Sequence, residues 1–126
     1  MTEKFEIYKC EICGNVVQVL KQGAGELVCC GEAMHHLKPQ HDIESGLGEK
    51  HNPKIEERDG ETFVHVKSHP MINEHYIEFV EAYTKNKSSM IIKFFKPEDI
   101  AEMRVPYSAE EIDALEMCNI HGLWGN

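Results

Sequence analysis

Four cysteines in the first thirty residues set the strongest constraint on this chain. They stand as Cys10-x-x-Cys13 and as the adjacent pair Cys29-Cys30, each motif followed by glycine, within YKCEICGNVVQVLKQGAGELVCCG at residues 8–31. Four thiolates at such spacing suit one tetrahedral ion, zinc or iron. Adjacent Cα atoms lie about 3.8 Å apart and side chains of an extended chain alternate sides, so two neighbours reach one ion only by distorting the backbone, the tetrahedron or both. That favours a redox iron over a relaxed structural zinc. A zinc ribbon that merely holds the segment together is the plain alternative, and a pair of disulfides a weaker one. Either metal is needed for folding, because a unit of about 36 residues is too small to fold on its own core. Between the cysteine pairs the pattern predicts a two-stranded ribbon. Val16, Val17, Val19 and Leu20 lie on one arm, Leu27 and Val28 on the other, and Gly23 and Gly25 make the bend.

The remainder is long enough for a core of its own. With 126 residues and 41% hydrophobic content, the chain reads as a small domain attached to a medium one, and not as a disordered polymer. No stretch approaches the roughly 20 apolar residues of a membrane helix. The opening MTEKFEIYKC lacks the basic and then apolar pattern of a secretory signal, so the expected location is the cytoplasm. A formal charge of -9 argues against a nucleic-acid partner, because phosphate binding rests on clustered Lys and Arg. An anionic substrate would need local positive charge to approach. Five cysteines, an odd count, point to metal or redox chemistry over disulfides in that compartment.

From Pro53 onward the pattern is β. KIEERDGETFVHVK has alternating arms around Asp59-Gly60, a strong hairpin signal. HYIEFVEAYTKNKSSMIIKFFKP gives two further strands joined across Lys85 and Asn86. Ser108 and Glu111 resemble a capping box, so a short helical turn is expected before the last strands, and no long helix anywhere. The fold class is therefore all-β, with an antiparallel sandwich following the cysteine unit. His35, His36 and His41 read as exposed histidines of a linker punctuated by Pro39.

Four other histidines and the fifth cysteine are placed by this reading at strand ends or loops, where a rigid sandwich can converge side chains on one point. They are His51, His69, His75, Cys118 and His121. Taken singly, each has a bland explanation as a surface or hydrogen-bonded residue, and His65, inside an alternating strand, keeps it. Together, four imidazoles and a thiolate form a five-donor set, too many for structural zinc, which takes four ligands and closes. Imidazole suits iron and copper, and a thiolate opposite an open position donates density to whatever binds there.

GEKHNP at 48–53, SHPM at 68–71 with His75 following, and CNIHGLW at 118–124 resemble the ligand segments of superoxide reductases. YKCEICGN and CCG resemble the desulforedoxin-type domain of their two-iron class, the desulfoferrodoxins. The likeness covers nearly the whole chain in the family's order, with ordinary core changes such as Phe79 where the family often has Trp. It implies a desulforedoxin- or rubredoxin-like domain over residues 1–37 and an immunoglobulin-like seven-stranded sandwich over residues 38–126. Two irons per chain are implied: one held by Cys10, Cys13, Cys29 and Cys30, the other by His51, His69, His75, His121 and Cys118. The implied reaction reduces superoxide to hydrogen peroxide with one external electron and two protons, with a rubredoxin-like donor and a homodimer. Lys50 is the cation expected to draw the substrate in. Glu49 is expected to move onto the vacant position of the oxidised centre. A non-catalytic electron carrier, a dismutase and a zinc-stabilised interaction module are the competing readings.

Overall fold

The computed structural model describes residues 1–126 and divides into two compact units, Met1–Lys38 and Pro39–Asn126. In the first unit, β1 (Ile7–Lys9), β2 (Val16–Gln18) and β5 (His35–Leu37) form an antiparallel sheet in the order β2-β1-β5, while β3 (Val28–Cys29) and β4 (Glu32–Ala33) form a separate hairpin. The expected ribbon between the two cysteine pairs is therefore corrected. Val16 and Val17 pair with Lys9 and Tyr8, and Val28 pairs with Ala33. Local turn chemistry decides this. The Cys10 N–H bonds the Asn15 carbonyl at 2.9 Å and Gly14, at φ +84°, closes the turn back onto Cys10, so β1 is folded directly against β2. At the other pair, Cys30 (φ +54°) and Gly31 (φ +78°) are successive left-handed residues between β3 and β4, the signature of a tight two-residue hairpin turn. Only Ile7, Cys10, Val19 and Thr2 are buried in this unit, a core too small to stand without a cross-link.

His35 and His36 are not linker residues: they lie in β5, where His36 stacks on Tyr8 at 5.0 Å and sits 3.4 Å from Glu6. His41, in the second unit, lies with Nδ1 2.9 Å from the Gly125 carbonyl.

The second unit contains seven strands in two antiparallel sheets. β6 (Lys54–Arg58), β7 (Glu61–His65) and β10 (Glu102–Val105) form one in the order β10-β7-β6; β8 (Ile77–Thr84), β9 (Met90–Phe94), β11 (Ile112–Cys118) and β12 (Gly122–Gly125) form the other in the order β12-β11-β8-β9. Between them lies one core, including Val64, Ile77, Val80, Met103, Ile112 and Ala114, all under 4% exposed. Asp59 (φ +52°) and Gly60 (φ +81°) make the hairpin turn of β6 and β7. Ser108 and Glu111 form the expected capping box around a 3-10 turn at Ala109–Glu111.

One element differs from expectation in a way that bears on the site. His51 lies at the end of a six-residue helix, α1 (Gly46–His51), not on a loop or strand end. Two glycines in six residues give this helix little intrinsic propensity. It is imposed from outside: Asp42 accepts the N–H groups of Glu44 and Ser45, Ser45 caps Leu47 N–H at 3.3 Å, and Asn52 grips the backbone of Asp42 from the far end. Gly48 is packed so tightly here that a β-carbon would lie 1.8 Å from the Asp42 carbonyl oxygen.

Candidate metal centres

In the first unit the four thiols converge. Their Sγ atoms all lie within 4.8 Å of one another, with Cys13–Cys29 at 3.6 Å and Cys29–Cys30 at 3.9 Å. Metal–thiolate bonds of about 2.3 Å put tetrahedron edges at about 3.8 Å, so the thiols stand where one ion needs them. The left-handed backbone at Cys30 is the distortion that lets adjacent cysteines serve one point, at about 1–2 kcal/mol for a residue with a β-carbon. The thiols titrate apart: the Cys13 N–H and other donors bring Cys10 down to about 7, while sharing protons with Cys13, Cys29 and Cys10 drives Cys30 up to about 12. Four thiolates cannot coexist there without a cation, and all five cysteines of the chain are free of disulfides. Cys10 is buried and Cys13 and Cys30 are exposed, so one edge of this centre meets solvent.

The second centre is assembled by three segments. α1 brings His51, the loop between β7 and β8 brings His69 and His75, and the turn between β11 and β12 brings Cys118 and His121. The four imidazoles form a closed circuit, with ring centroids at 4.7 Å (His51–His69), 4.4 Å (His69–His75), 5.0 Å (His75–His121) and 4.7 Å (His121–His51). Donor atoms of His51, His69, His75 and Cys118 lie within 4.8 Å of one another. His121 joins them through Nδ1, 3.2 Å from His75 Nε2 and 3.8 Å from Cys118 Sγ.

Two rings are aimed by a bond on the outer nitrogen, and a third residue is held at its backbone carbonyl. His51 Nδ1 bonds the Leu47 carbonyl at 2.7 Å, and the ring stacks on Trp124 at 4.9 Å. His69 Nδ1 bonds the Pro70 carbonyl, which turns Nε2 to within 3.3 Å of Cys118 Sγ. The His121 carbonyl accepts from Gln40 Nε2 at 2.8 Å and from the Trp124 indole at 3.2 Å. The Nδ1 bonds of His51 and His69 fix the tautomer that leaves Nε2 bare.

The electrostatics fit a cation here. His51 Nε2 is fully buried and has no hydrogen-bond partner, a loss that a metal bond removes. Burial holds His69 down at about 4, and burial with neighbouring positive groups lowers His51 and His75, so all three are neutral and ligand-ready at pH 7. Burial raises the Cys118 thiol, opposed by the His121 and Ile120 N–H groups, so its thiolate needs positive charge beside it.

Lys50 and Glu49 occupy adjacent exposed positions on α1. The Lys50 charge is felt at both His51 and His75. Glu49 lines a cleft of about 390 Å³ with Asp42, Ser45, Asn52 and Lys54, and none of the five donors of the second centre lines it. Sequence reasoning missed Gln40, Glu116, Asn119 and Trp124. Glu116 is fully buried two residues before Cys118, its carboxyl pushed up to about 9 by burial, with neither oxygen hydrogen-bonded. The strand alternation that pairs it with Val80 was the available signal.

Comparison with known proteins gives the same division. The family described as desulfoferrodoxin N-terminal domain matches residues 2–37, and that described as desulfoferrodoxin matches residues 43–126. A desulfoferrodoxin of Nitratidesulfovibrio vulgaris is 43% identical over 98% of this chain and 97% of its own. Another, from Syntrophotalea carbinolica, is 41% identical over 100% of this chain and 98% of its own. The superoxide reductase crystal structure from Treponema pallidum superposes with a TM-score of 0.72 at 25% identity, covering 96% of each chain. The four-thiolate and four-imidazole–thiolate donor sets match the two irons of this class. With both domain families matched in order and full-length relatives above 40% identity, the chain belongs to the desulfoferrodoxin family.

Proposed function

We propose that the protein is a superoxide reductase: it converts one superoxide, one electron from an external donor and two protons into hydrogen peroxide, releasing no oxygen. The observation that carries this reading is the circuit of four imidazoles gathered with the Cys118 sulfur, a five-donor set that would hold an iron and still admit a substrate. Ferrous iron, when held there, supplies the electron that superoxide accepts.

The residues divide the remaining work. Imidazole ligands add no negative charge to the centre, which keeps it attractive to an anion. The thiolate of Cys118, stabilised by the His121 and Ile120 N–H groups, would be the electron-rich donor to an iron held there. Lys50 supplies the local positive charge that a chain of formal charge -9 otherwise denies the substrate, and orders the water that delivers protons. Glu49 is assigned to cap the oxidised centre after product leaves. Because it lines the cleft beside Asp42, that role needs a change in α1.

Residues 1–37 are assigned to electron handling and residues 38–126 to catalysis. Four thiolates would fill the coordination of an iron held there, so this centre passes electrons or stabilises its unit, and a rubredoxin-like protein is the proposed donor. A homodimer located in the cytoplasm completes the reading.

The test is the ratio of peroxide formed to superoxide consumed, with a reduced donor present and catalase absent. One peroxide per superoxide is expected. One peroxide per two superoxides would mean that superoxide itself supplied the electron, and the assignment would pass to dismutation.

A further inference from the structure

The ladder between β11 and β8 slips at Met117/Cys118, where Met117 faces Phe79 but Cys118 faces Ile77. Regular pairing therefore ends at Cys118, just where the chain must present two donors of the second centre. Beyond this point the backbone is held by one backbone bond and two bonds of a side chain. The Asn119 N–H bonds the Tyr76 carbonyl at 3.1 Å; Asn119 Oδ1 accepts the Tyr76 N–H at 2.9 Å; and Asn119 Nδ2 donates to the Glu74 carbonyl at 3.2 Å. The side-chain amide thus acts as one more peptide unit added to the sheet. It grips the chain on both sides of His75.

Sequence neighbours make this grip consequential. Asn119 follows Cys118 and precedes His121 by two residues, so a single amide ties together the segments bearing three of the five donors. His75 is otherwise held at its backbone by Ile72, through N–H and carbonyl bonds of 3.1 Å each, within its own short loop. That pair shapes the loop but does not anchor it to β11. His75 Nε2 lies 3.2 Å from His121 Nδ1, across the two loops that the clamp spans.

We propose that Asn119 is a positioning residue for the second centre, setting the separation of His75 from Cys118 and His121; the inference rests on reading this cluster as the iron site. The chemistry demands an amide. Aspartate can accept from Tyr76 N–H but cannot donate to Glu74, and alanine does neither. Asn119 is exposed and outside the core, so its replacement by alanine removes the two side-chain bonds, keeps the backbone bond to Tyr76 and opens no cavity.

The experiment compares wild type, Asn119→Ala and Asn119→Asp as full-length chains loaded with Fe(II). Iron at each centre, the visible and electron paramagnetic resonance spectra of the oxidised second centre, and, in the same chains before iron is added, the near-ultraviolet circular dichroism of Trp124 are measured. Alanine should weaken Fe(II) binding at the second centre 10- to 100-fold, the range seen when residues supporting metal ligands are lost. Its spectrum should shift, the four-cysteine iron and the Trp124 signal should stay intact, and aspartate should fall between alanine and wild type. Affinity within twofold of wild type and an unchanged spectrum for Asn119→Ala would overturn the proposal. So would loss of iron together with the Trp124 signal, which would make Asn119 a folding residue. Because affinity and spectrum are read without superoxide, a wild-type protein that binds iron yet leaves superoxide unconsumed would count against the reductase assignment alone.

Discussion

His51 gives its Nδ1 to the Leu47 carbonyl, 2.7 Å away and one helical turn back, and so presents an Nε2 that is buried and bonded to nothing. A six-residue helix thereby determines which nitrogen of its last residue faces the other donors. The arrangement commits His51 to a metal more firmly than its sequence position does, since an orphaned buried nitrogen costs about 1–3 kcal/mol that an ion relieves.

Replacing His51 by alanine should therefore reduce iron from two per chain to one. Superoxide reduction should fall at least 100-fold, with the four-cysteine absorption unchanged. Metal analysis beside the visible spectrum checks this, and loss of both irons would contradict it.

Acid should dismantle the second centre through its histidines. His69 is held at about 4 against an ordinary 6.5, so between those values the unfolded chain binds a proton that the folded chain refuses. The stability associated with His69 is complete above pH 6.5 and is lost as pH falls toward 4, by on the order of 3 kcal/mol for metal-free protein. Denaturant unfolding of the metal-free chain at pH 7, 6, 5 and 4.5 measures it, and His69→Asn should flatten the decline.

Glu116 acts in the opposite direction. Its folded value of about 9 lies above the ordinary 4.5, so across that interval the folded chain keeps a proton that the unfolded chain releases. Stability is present below pH 4.5 and declines as pH rises toward 9. Glu116→Gln should remove the decline, improving relative to wild type by a few kcal/mol between pH 5 and pH 8 whatever its constant effect. Parallel pH curves for the two proteins would show the carboxyl to be solvated.

Lys50 is the test of substrate guidance. Lys50→Glu should lower the second-order rate with superoxide roughly tenfold and reverse its dependence on ionic strength, while Lys50→Arg keeps most of the rate. Pulse radiolysis across a salt series reads both effects. Identical salt slopes would place the attracting charge elsewhere.

How much of this was legible in the sequence varied with the range of the forces involved. Asp59-Gly60 and the Ser108/Glu111 box are local signals, and each appears where its residues require it. Cys-x-x-Cys and Cys-Cys were readable as one tetrahedral site because the ion's geometry, not the chain's, sets the rule. The pairing of the strands between them was not: a ribbon of Val16–Leu20 against Leu27–Val28 obeys the same apolar pattern as the observed β1–β2 sheet, and the turn at Gly14 chose between them. The helix α1 escaped notice because Asp42 and Asn52, not its own residues, impose it. Gln40 and Asn119 escaped for a related reason: their side chains bond backbone 81 and 45 positions away, and no local pattern carries that information.

The packing of Gly48 against the Asp42 carbonyl has an implication for variation in this chain. Glu49, Lys50 and His51 follow it directly, so a side chain at residue 48 would displace all three without touching any metal donor. A saturation library screened for superoxide tolerance would show Gly48 nearly as forbidding as a ligand, while exposed Leu47 beside it accepts many residues. Inheritance of activity along this lineage would then be guarded by a hydrogen atom as much as by the histidines.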